Sequence, residues 1–329
     1  MTSIRRRSLA LGAVAAAASP WPGLAQTADW PSRSIRMIVP YAPGGTSDTM
    51  ARLIGQLIAP ALGQSVVVEN RAGSGSILGT EAVIRSAPDG YTLLLADTPL
   101  TIVPVVQAAG GRPAPFDPVR DLTPVVTLGV APGVLFAPAN LPVRTTADLV
   151  AMARARPEGV AIASSGTGTT THLMAELLQS LAGARMTHVP YRGAGPAVQD
   201  VASGAVQGTF VAYASGAALQ QSGQIRAIGV ASEARLPNLP DAPTLKEQGI
   251  DLVAGFWWGI MGPAGLPDRI VSRLVPVVSE AMQSEELTPR LAAMGVQRQV
   301  LGQAEFGALV RAESTRWTAV VRAANIRPE

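Results

Sequence analysis

Two short stretches carry the residues best placed to do chemistry: "YAPGGTSDTM", Tyr41–Met50, and "SSGTGTTTH", Ser164–His172. Each sets glycines and hydroxyls between an apolar run and a helix-forming one. Backbone N–H groups and the positive end of a helix dipole can meet an anion at such a junction. In the first stretch Gly44 and Gly45 permit close backbone approach, and Thr46, Ser47 or Asp48 can cap the helix. In the second, Gly166 and Gly168 lie among Ser164, Thr167, Thr169 and Thr170, with Thr169 or Thr170 as cap. Neither contains the Lys of a phosphate-binding loop or a G-x-G-x-x-G, so a carboxylate suits them better than a phosphate. A plain capped turn is the alternative for either alone. Two Lys-free helix openings together suggest one small acid held between them.

Catalytic groups are sparse. The chain has no cysteine, which excludes a thiolate nucleophile, a Cys-ligated zinc and an iron–sulfur site. There is no G-x-S-x-G and no H-E-x-x-H, and the two histidines, His172 and His188, lack metal-ligand spacing. His172 reads as a first-turn helix residue and His188 as a satisfied strand residue. "RAGSGSILG" offers G-x-G without the rest of a dinucleotide fingerprint. Trp257 and Trp258 can stack on a ligand or pack in the core. The residues favour a binding protein with no cofactor and no metal; an exported α/β enzyme acting on carboxylic acids is the other class.

The N-terminus explains the basic balance. Arg5, Arg6 and Arg7 precede an apolar run from Leu9 to Ala18, and Gly23 and Ala25 are small residues ahead of a cut before Gln26. That is an export signal over residues 1–25, and the adjacent arginines leave both the general and the twin-arginine routes open. The three signal arginines account for the whole excess of 26 Lys+Arg over 23 Asp+Glu. The mature chain is charge-balanced, so nothing points to nucleic acid. An exported chain without disulfides must rest on an ordinary hydrophobic core.

These stretches have to be positioned by alternating elements. "SIRMIVPY", "SVVVEN" and "GYTLLLAD" read as strands, the last apolar enough to be buried on both faces. A helix follows the first, with Met50, Leu53, Ile54, Leu57, Ile58 and Ala61 on one face. After a Pro-rich connection, "PVVTLGVAPGVLFAP" is a long interrupted strand. "VAIASSG", "MTHVPYRG", "VQGTFVAYAS" and "IRAIGVAS" are strands with helices between the first three; one carries Met174, Leu177, Leu178 and Leu181 and ends at Gly183. "DLVAGFWWGIMGP" is a further strand, and the chain beyond Asp268 is mostly helical. The class is α/β with mostly parallel sheets. Two lobes are expected, residues 26–128 with 255–329 and residues 129–254, crossing near 125–137 and 251–261.

The ordered series "IVPYAPGGTSDTMAR", "VVVENRAGSGSILGTEAV", "APDGYTLLLAD", "FDPVRDLTPV", "SSGTGTTTHLMAELL", "HVPYRGAGPAVQDVASG" and "WWGIMGPAGLP" resembles the Bug (TctC-like) extracytoplasmic solute receptors of tripartite tricarboxylate transporters. The resemblance covers nearly the whole mature chain. It implies a type II periplasmic-binding-protein fold, two lobes joined by a two-strand hinge and closing on a ligand, with no catalytic activity. It implies a monomer that binds a small organic acid (a di- or tricarboxylate, an aromatic acid or an acidic amino acid). Membrane subunits of a transporter, or a sensor kinase, would receive it. The ligand would meet Tyr41, Ala42, Gly44, Gly45, Thr46 and Asp48 on one loop and Ala96, Asp97 and Thr98 on a second. From the other lobe it would meet Ser164, Gly166, Thr167, Gly168, Thr169 and Thr170, then Tyr191 and Gly193. Two positions depart from the family pattern. Asp97 stands where a small or amide residue is usual, and Tyr213 is offered where many members carry an acid near the position of Ala212.

Overall fold

The computed structural model describes residues 30–156 and 159–323, so the expected export signal lies outside the described residues. Two sheets, each wound from strand–helix units, share one strand. In the first, β1 (Ile35–Val39) lies between β2 (Val66–Asn70) and β3 (Thr92–Asp97), all parallel. All of β3 is buried, as an unbroken apolar strand covered on both faces should be. β9 (Gly255–Pro263) runs antiparallel to β3, and β4 (Leu122–Pro138) antiparallel to β9. The second sheet repeats the plan. β5 (Ala161–Ser164) lies between and parallel to β6 (Thr187–Pro190) and β7 (Gly208–Ala212), and β4 pairs antiparallel with both β7 and β8 (Ile225–Ala231).

The long interrupted strand therefore belongs to both sheets. Residues 122–132 of β4 pair with β9, and residues 133–138 pair with β7 and β8. A two-residue strand, β10 (Gln297–Arg298), also pairs with β4.

Helices cover the sheets. α1 (Thr46–Leu62) buries Met50, Leu53, Ile54 and Ile58 as its periodicity predicts, but Leu57 is half-buried and Ala61, beyond Pro60, is exposed. α2 (Ile77–Ile84) and α4 (Thr146–Ala155) fall where expected, the latter with a capping box from Thr145 and Asp148. α5 (Thr170–Ala182) buries Leu173, Met174 and Leu178 and stops at Gly183, φ 56°; Leu181, expected on its buried face, is 52% exposed. α6 (Ala194–Ser203) packs on the second sheet, and α8 (Asp268–Gln283), α9 (Leu287–Ala293) and α10 (Gln303–Ala323) form the helical C-terminal part.

Two helices correct the sequence reading. α3 (Pro99–Ala109) occupies the expected Pro-rich connection. Pro99 suits a first helical turn, whereas Pro104 inside costs about 3 kcal/mol. Leu100, Ile102, Val103 and Val106 are all buried, at about 1.5–3 kcal/mol each, so burial outweighs the break. α7 (Tyr213–Gln221) replaces the last residues of a strand expected to run to Ser215. Its small residues let it approach the sheet: a Cβ on Gly216 would stand 2.7 Å from the Phe136 ring. Trp317 and Val321 of α10 share a core with Ile102 and Val106 of α3 and with Leu173 and Phe210 of the second sheet's layer.

At the crossing between sheets the backbones of β4 and β9 nearly touch, and a Cβ on Gly255 would lie 2.3 Å from the Ala131 carbonyl oxygen. Backbone cannot yield there as a side chain would. Gly255→Ala is expected to destabilise the protein by about 1–3 kcal/mol in denaturant unfolding. An unchanged midpoint would show that the strands part freely.

Candidate functional site

β1 and β3 end side by side in the first sheet, β5 and β7 in the second, and the loops after them face one cleft. Ligands gather outside such strand ends in α/β folds. The cleft holds a small cavity, about 40 Å³. Of the expected binding residues, Tyr41, Gly45, Thr46, Asp48, Asp97, Thr169 and Thr170 line it. So do Ser47, Ser165, Thr171, Ser215, Phe256 and Trp258, which the motifs did not mark as contacts, apart from Trp258 as a stacking candidate. Ser215 had no signal at all, because it depends on the unforeseen helix α7.

The other expected residues frame the cavity without lining it. Ala42 N–H donates to the Arg192 carbonyl at 2.9 Å, beside Gly193, whose φ of +134° suits glycine. Gly44 N–H donates to Asp48 Oδ2 at 3.2 Å. Ala96 is buried in β3, and Thr98 Oγ1 accepts from Trp257 N–H at 2.9 Å. Thr167 meets Gly75, where a Cβ would lie 2.3 Å from the Thr167 oxygen. Gly166 also packs on Gly75, and Gly168 on Val103 and Val106. The Tyr191 hydroxyl donates to Asp200 at 2.5 Å, and Tyr213 is buried at the start of α7. The lobes are closed on one another. Thr46 donates its N–H to Ser215 Oγ at 3.1 Å, and the two hydroxyls lie 2.8 Å apart.

Neither helix opening is capped by a hydroxyl. Gly45 is the N-cap of α1, and Thr169, the N-cap of α5, turns its Oγ1 to donate to the Gly166 carbonyl at 2.6 Å. Of the tryptophans, Trp258 faces the cavity and stacks on Phe256 with centroids 5.8 Å apart. Trp257 packs edge-on against Phe306 in the core.

Two buried groups set the electrostatics. Asp97 accepts from the Tyr41 hydroxyl and from Ser47 Oγ, each at 3.0 Å, and Trp258 Nε1 donates to Ser47 Oγ at 3.0 Å. Burial pushes the Asp97 carboxyl up to about 7 against the pull of those two hydroxyls. Tyr41 is held well above its usual range, by burial first and then by Asp97. By contrast Asp48 is held low by bonds from Arg52, Asn70 and Gly44, which overcome its partial burial. Beneath the second-lobe loop the histidines pair unexpectedly. His172 and His188 stack with centroids 4.0 Å apart. His172 Nδ1 accepts from Gly168 N–H at 3.1 Å, and His188 Nε2 meets Ser164 Oγ at 2.6 Å. Burial, then the neighbouring His188, lowers His172 to about 3, so it is neutral in the folded protein. Among the described residues no cluster of three or more His, Cys, Asp or Glu could hold a metal.

Two lobes about a shared strand, with a cavity lined by hydroxyls and aromatics between them, define a solute-binding protein. The chain belongs to the family described as "Tripartite tricarboxylate transporter family receptor", which it matches over residues 50–326. It is 36% identical to BugT of Bordetella pertussis across 89% of this chain and 90% of that one. A Rhodopseudomonas palustris protein solved with adipate superposes at a TM-score of 0.87, with 32% identity over 92% of this chain and all of that one. MatC from the same organism, solved with malate, gives 0.83 and 31% over 89% of this chain and all of that one. The expected type II fold is the one this chain has.

The closed geometry makes Gly75 a test of closure. Gly75→Ala should weaken ligand binding by about tenfold, because its Cβ would obstruct the Thr167 carbonyl oxygen where the lobes meet, and should also lower stability by about 1 kcal/mol, because Gly75 has a φ of +63°. Unchanged affinity would show that the loops need not touch.

Asp97 and His172 should drive stability in opposite directions with pH. The raised Asp97 favours its neutral form in the fold, so its contribution is complete below about pH 3.8 and is lost as pH rises through about 7. The lowered His172 also favours its neutral form, so its contribution is complete above about pH 6.5 and is lost on acidification toward about 3. Asp97→Asn should therefore lose about 2–3 kcal/mol between pH 6.5 and 4.5 relative to wild type. His172→Asn, with an amide oxygen for Gly168 N–H, should shift the opposite way. Three parallel melting profiles would refute both assignments.

Proposed function

We propose that this chain is an exported, periplasmic receptor that captures a small organic carboxylate between its lobes and delivers it to membrane subunits of a tripartite tricarboxylate-type transporter. One observation carries the reading. The N-termini of two helices, α1 and α5, open on a single cavity walled by hydroxyls and aromatics, with no Lys, Arg or His in its lining. Backbone N–H groups and hydroxyls hold a carboxylate without the charge density a phosphate calls for.

Several facts support it. Related structures hold adipate and malate. The N-terminal run of arginines, apolar residues and small residues fits export, and among the described residues no helix is long and apolar enough to cross a membrane. The lobes, taken as residues 26–128 with 255–329 and residues 129–254, would hinge where β4 passes from one sheet to the other. Catalysis is disfavoured because the Ser164–His188 contact, which resembles a nucleophile–base pair, is buried and does not line the cleft cavity.

Calorimetry against malate, succinate, adipate, citrate and benzoate should give one-site saturation for at least one acid, recovered unchanged, with a shift in Trp258 emission. No heat and no thermal shift with any acid, or consumption of the acid, would defeat the reading.

A further inference from the structure

The first-lobe wall of the cavity sets two unlike features side by side. α1 opens there at Gly45 with no side-chain cap, which leaves first-turn N–H groups without an intrahelical partner. At the end of β3, Asp97 lines the same cavity as a buried acid. Among the described residues no Lys, Arg or His lines it. An anion bound at this wall therefore puts a second carboxylate beside Asp97. Without a cation, such a pair settles by holding one proton.

The hydroxyls around Asp97 determine what that proton does. Tyr41 donates to Oδ1 and Ser47 to Oδ2, each at 3.0 Å, and Trp258 Nε1 donates to Ser47 Oγ. While Asp97 is ionised, both hydroxyl hydrogens are spent on it. A proton on Oδ2 reverses the serine bond. Asp97 then donates to Ser47 Oγ, whose second lone pair still accepts the indole N–H, since a hydroxyl accepts twice and donates once. The serine hydrogen is released to turn into the cavity. A proton on Oδ1 would release the Tyr41 hydrogen in the same way, and both residues line the cavity.

We propose that the protein takes up one proton on Asp97 as it binds its organic anion, and that Ser47 or Tyr41 passes the effect on by turning its hydroxyl hydrogen to the ligand. The inference rests on the carboxylate reading above and makes Asp97 the residue that sets which state of the site binds. Burial already holds the Asp97 carboxyl at about 7, so the protonated form is well populated near neutrality. Affinity is then complete below about pH 7 and falls as pH rises above it, because ionised Asp97 must be reprotonated before the anion binds.

The other groups near Asp97 leave it as the one that titrates there. Tyr41, beyond β1, is held well above its usual range and keeps its own proton. On α1, Asp48 is held low and ion-paired with Arg52, and on α2 Glu81 pairs with Arg85. Arg36 of β1 pairs with Glu69 and bonds Thr92 at the opposite end of β3. β9 and α3 bring no titratable residue, and the second-lobe residues lining the cavity are hydroxyls and apolar groups.

The test is calorimetry with succinate, malate and adipate, each fully ionised from about pH 7 to 9. Triethanolamine and Tris are suitable buffers, because their ionisation enthalpies differ and neither competes as an anion. At about pH 8 the buffer-dependent heat should report uptake of close to one proton per ligand, and affinity should fall about tenfold by pH 9. Asp97→Asn, whose amide can donate to Ser47 as the protonated acid would, should take up none. Its affinity should stay level over this range and exceed that of the wild type at pH 9. Asp97→Ser, which removes the acid at smaller size, should show the same level profile. Wild-type affinity that is level from pH 7 to 9 with no proton uptake would overturn the proposal and leave the carboxylate reading intact. Uptake that survives in Asp97→Asn would do the same. Binding of no acid even at about pH 6, where Asp97 holds its proton, would overturn both.

Discussion

A carboxylate taken out of water with no cation beside it is the constraint around which the cleft is arranged. Desolvation of such a group costs several kcal/mol unless hydrogen bonds replace the lost water. Asp97 is met by Tyr41 from the end of β1, Ser47 from the first turn of α1 and, one step removed, Trp258 from β9. Asp97 and Trp258 are register partners across β3 and β9, so the antiparallel pairing itself delivers the indole to Ser47. Three elements are thereby tied at one point.

The sheet topology supplies the rest of the geometry. Because each sheet ends its parallel strands toward the cleft, four loops converge there, and the helices that follow β1 and β5 aim their N-termini inward. β4 is the one strand long enough to serve both sheets. The pairing with β9 stops at Pro132 and the pairing with β7 starts at Gly133, so β4 passes from one sheet to the other between these two residues. Thr46 to Ser215 and Ala42 to Arg192 are ordinary hydrogen bonds, worth about 1 kcal/mol each, which a ligand can add to or replace.

The sequence made the strands legible, because alternating glycine-flanked apolar runs have few other readings, and it made both helix openings legible through their Gly and hydroxyl content. What it hid has physical causes. α3 was masked by two prolines whose cost is outweighed by tertiary burial, which no local pattern reports. α7 was masked because "TFVAYAS" is apolar and β-branched enough to extend a strand, while the turn into a helix at Tyr213 is fixed by Gly216 fitting under Phe136. With α7 misread, Ser215 could not be placed. The capping roles given to Thr46 and Thr169 failed for a related reason. Each hydroxyl finds a non-local or loop partner, Ser215 for one and the Gly166 carbonyl for the other.

The histidines show how the second wall stays available to an anion. Each was legible singly, as a helix residue and a strand residue, but their stacking joins α5 to β6 and could not be read from 16 residues of separation. His172 takes the Gly168 N–H and His188 the Ser164 hydroxyl, so both ends of the second-lobe loop are fixed from below. Burial keeps His172 neutral, and it therefore adds no charge beneath the α5 N-terminus. Had that position carried a permanent cation, the wall would attract any anion, with little regard to what else the ligand bore. A neutral support leaves the attraction to helix N–H groups and one unpartnered hydroxyl, a fraction of a charge in all. The opposite wall differs in carrying Asp97, an acid in the lining with no cation beside it, whose carboxyl burial pushes up to about 7.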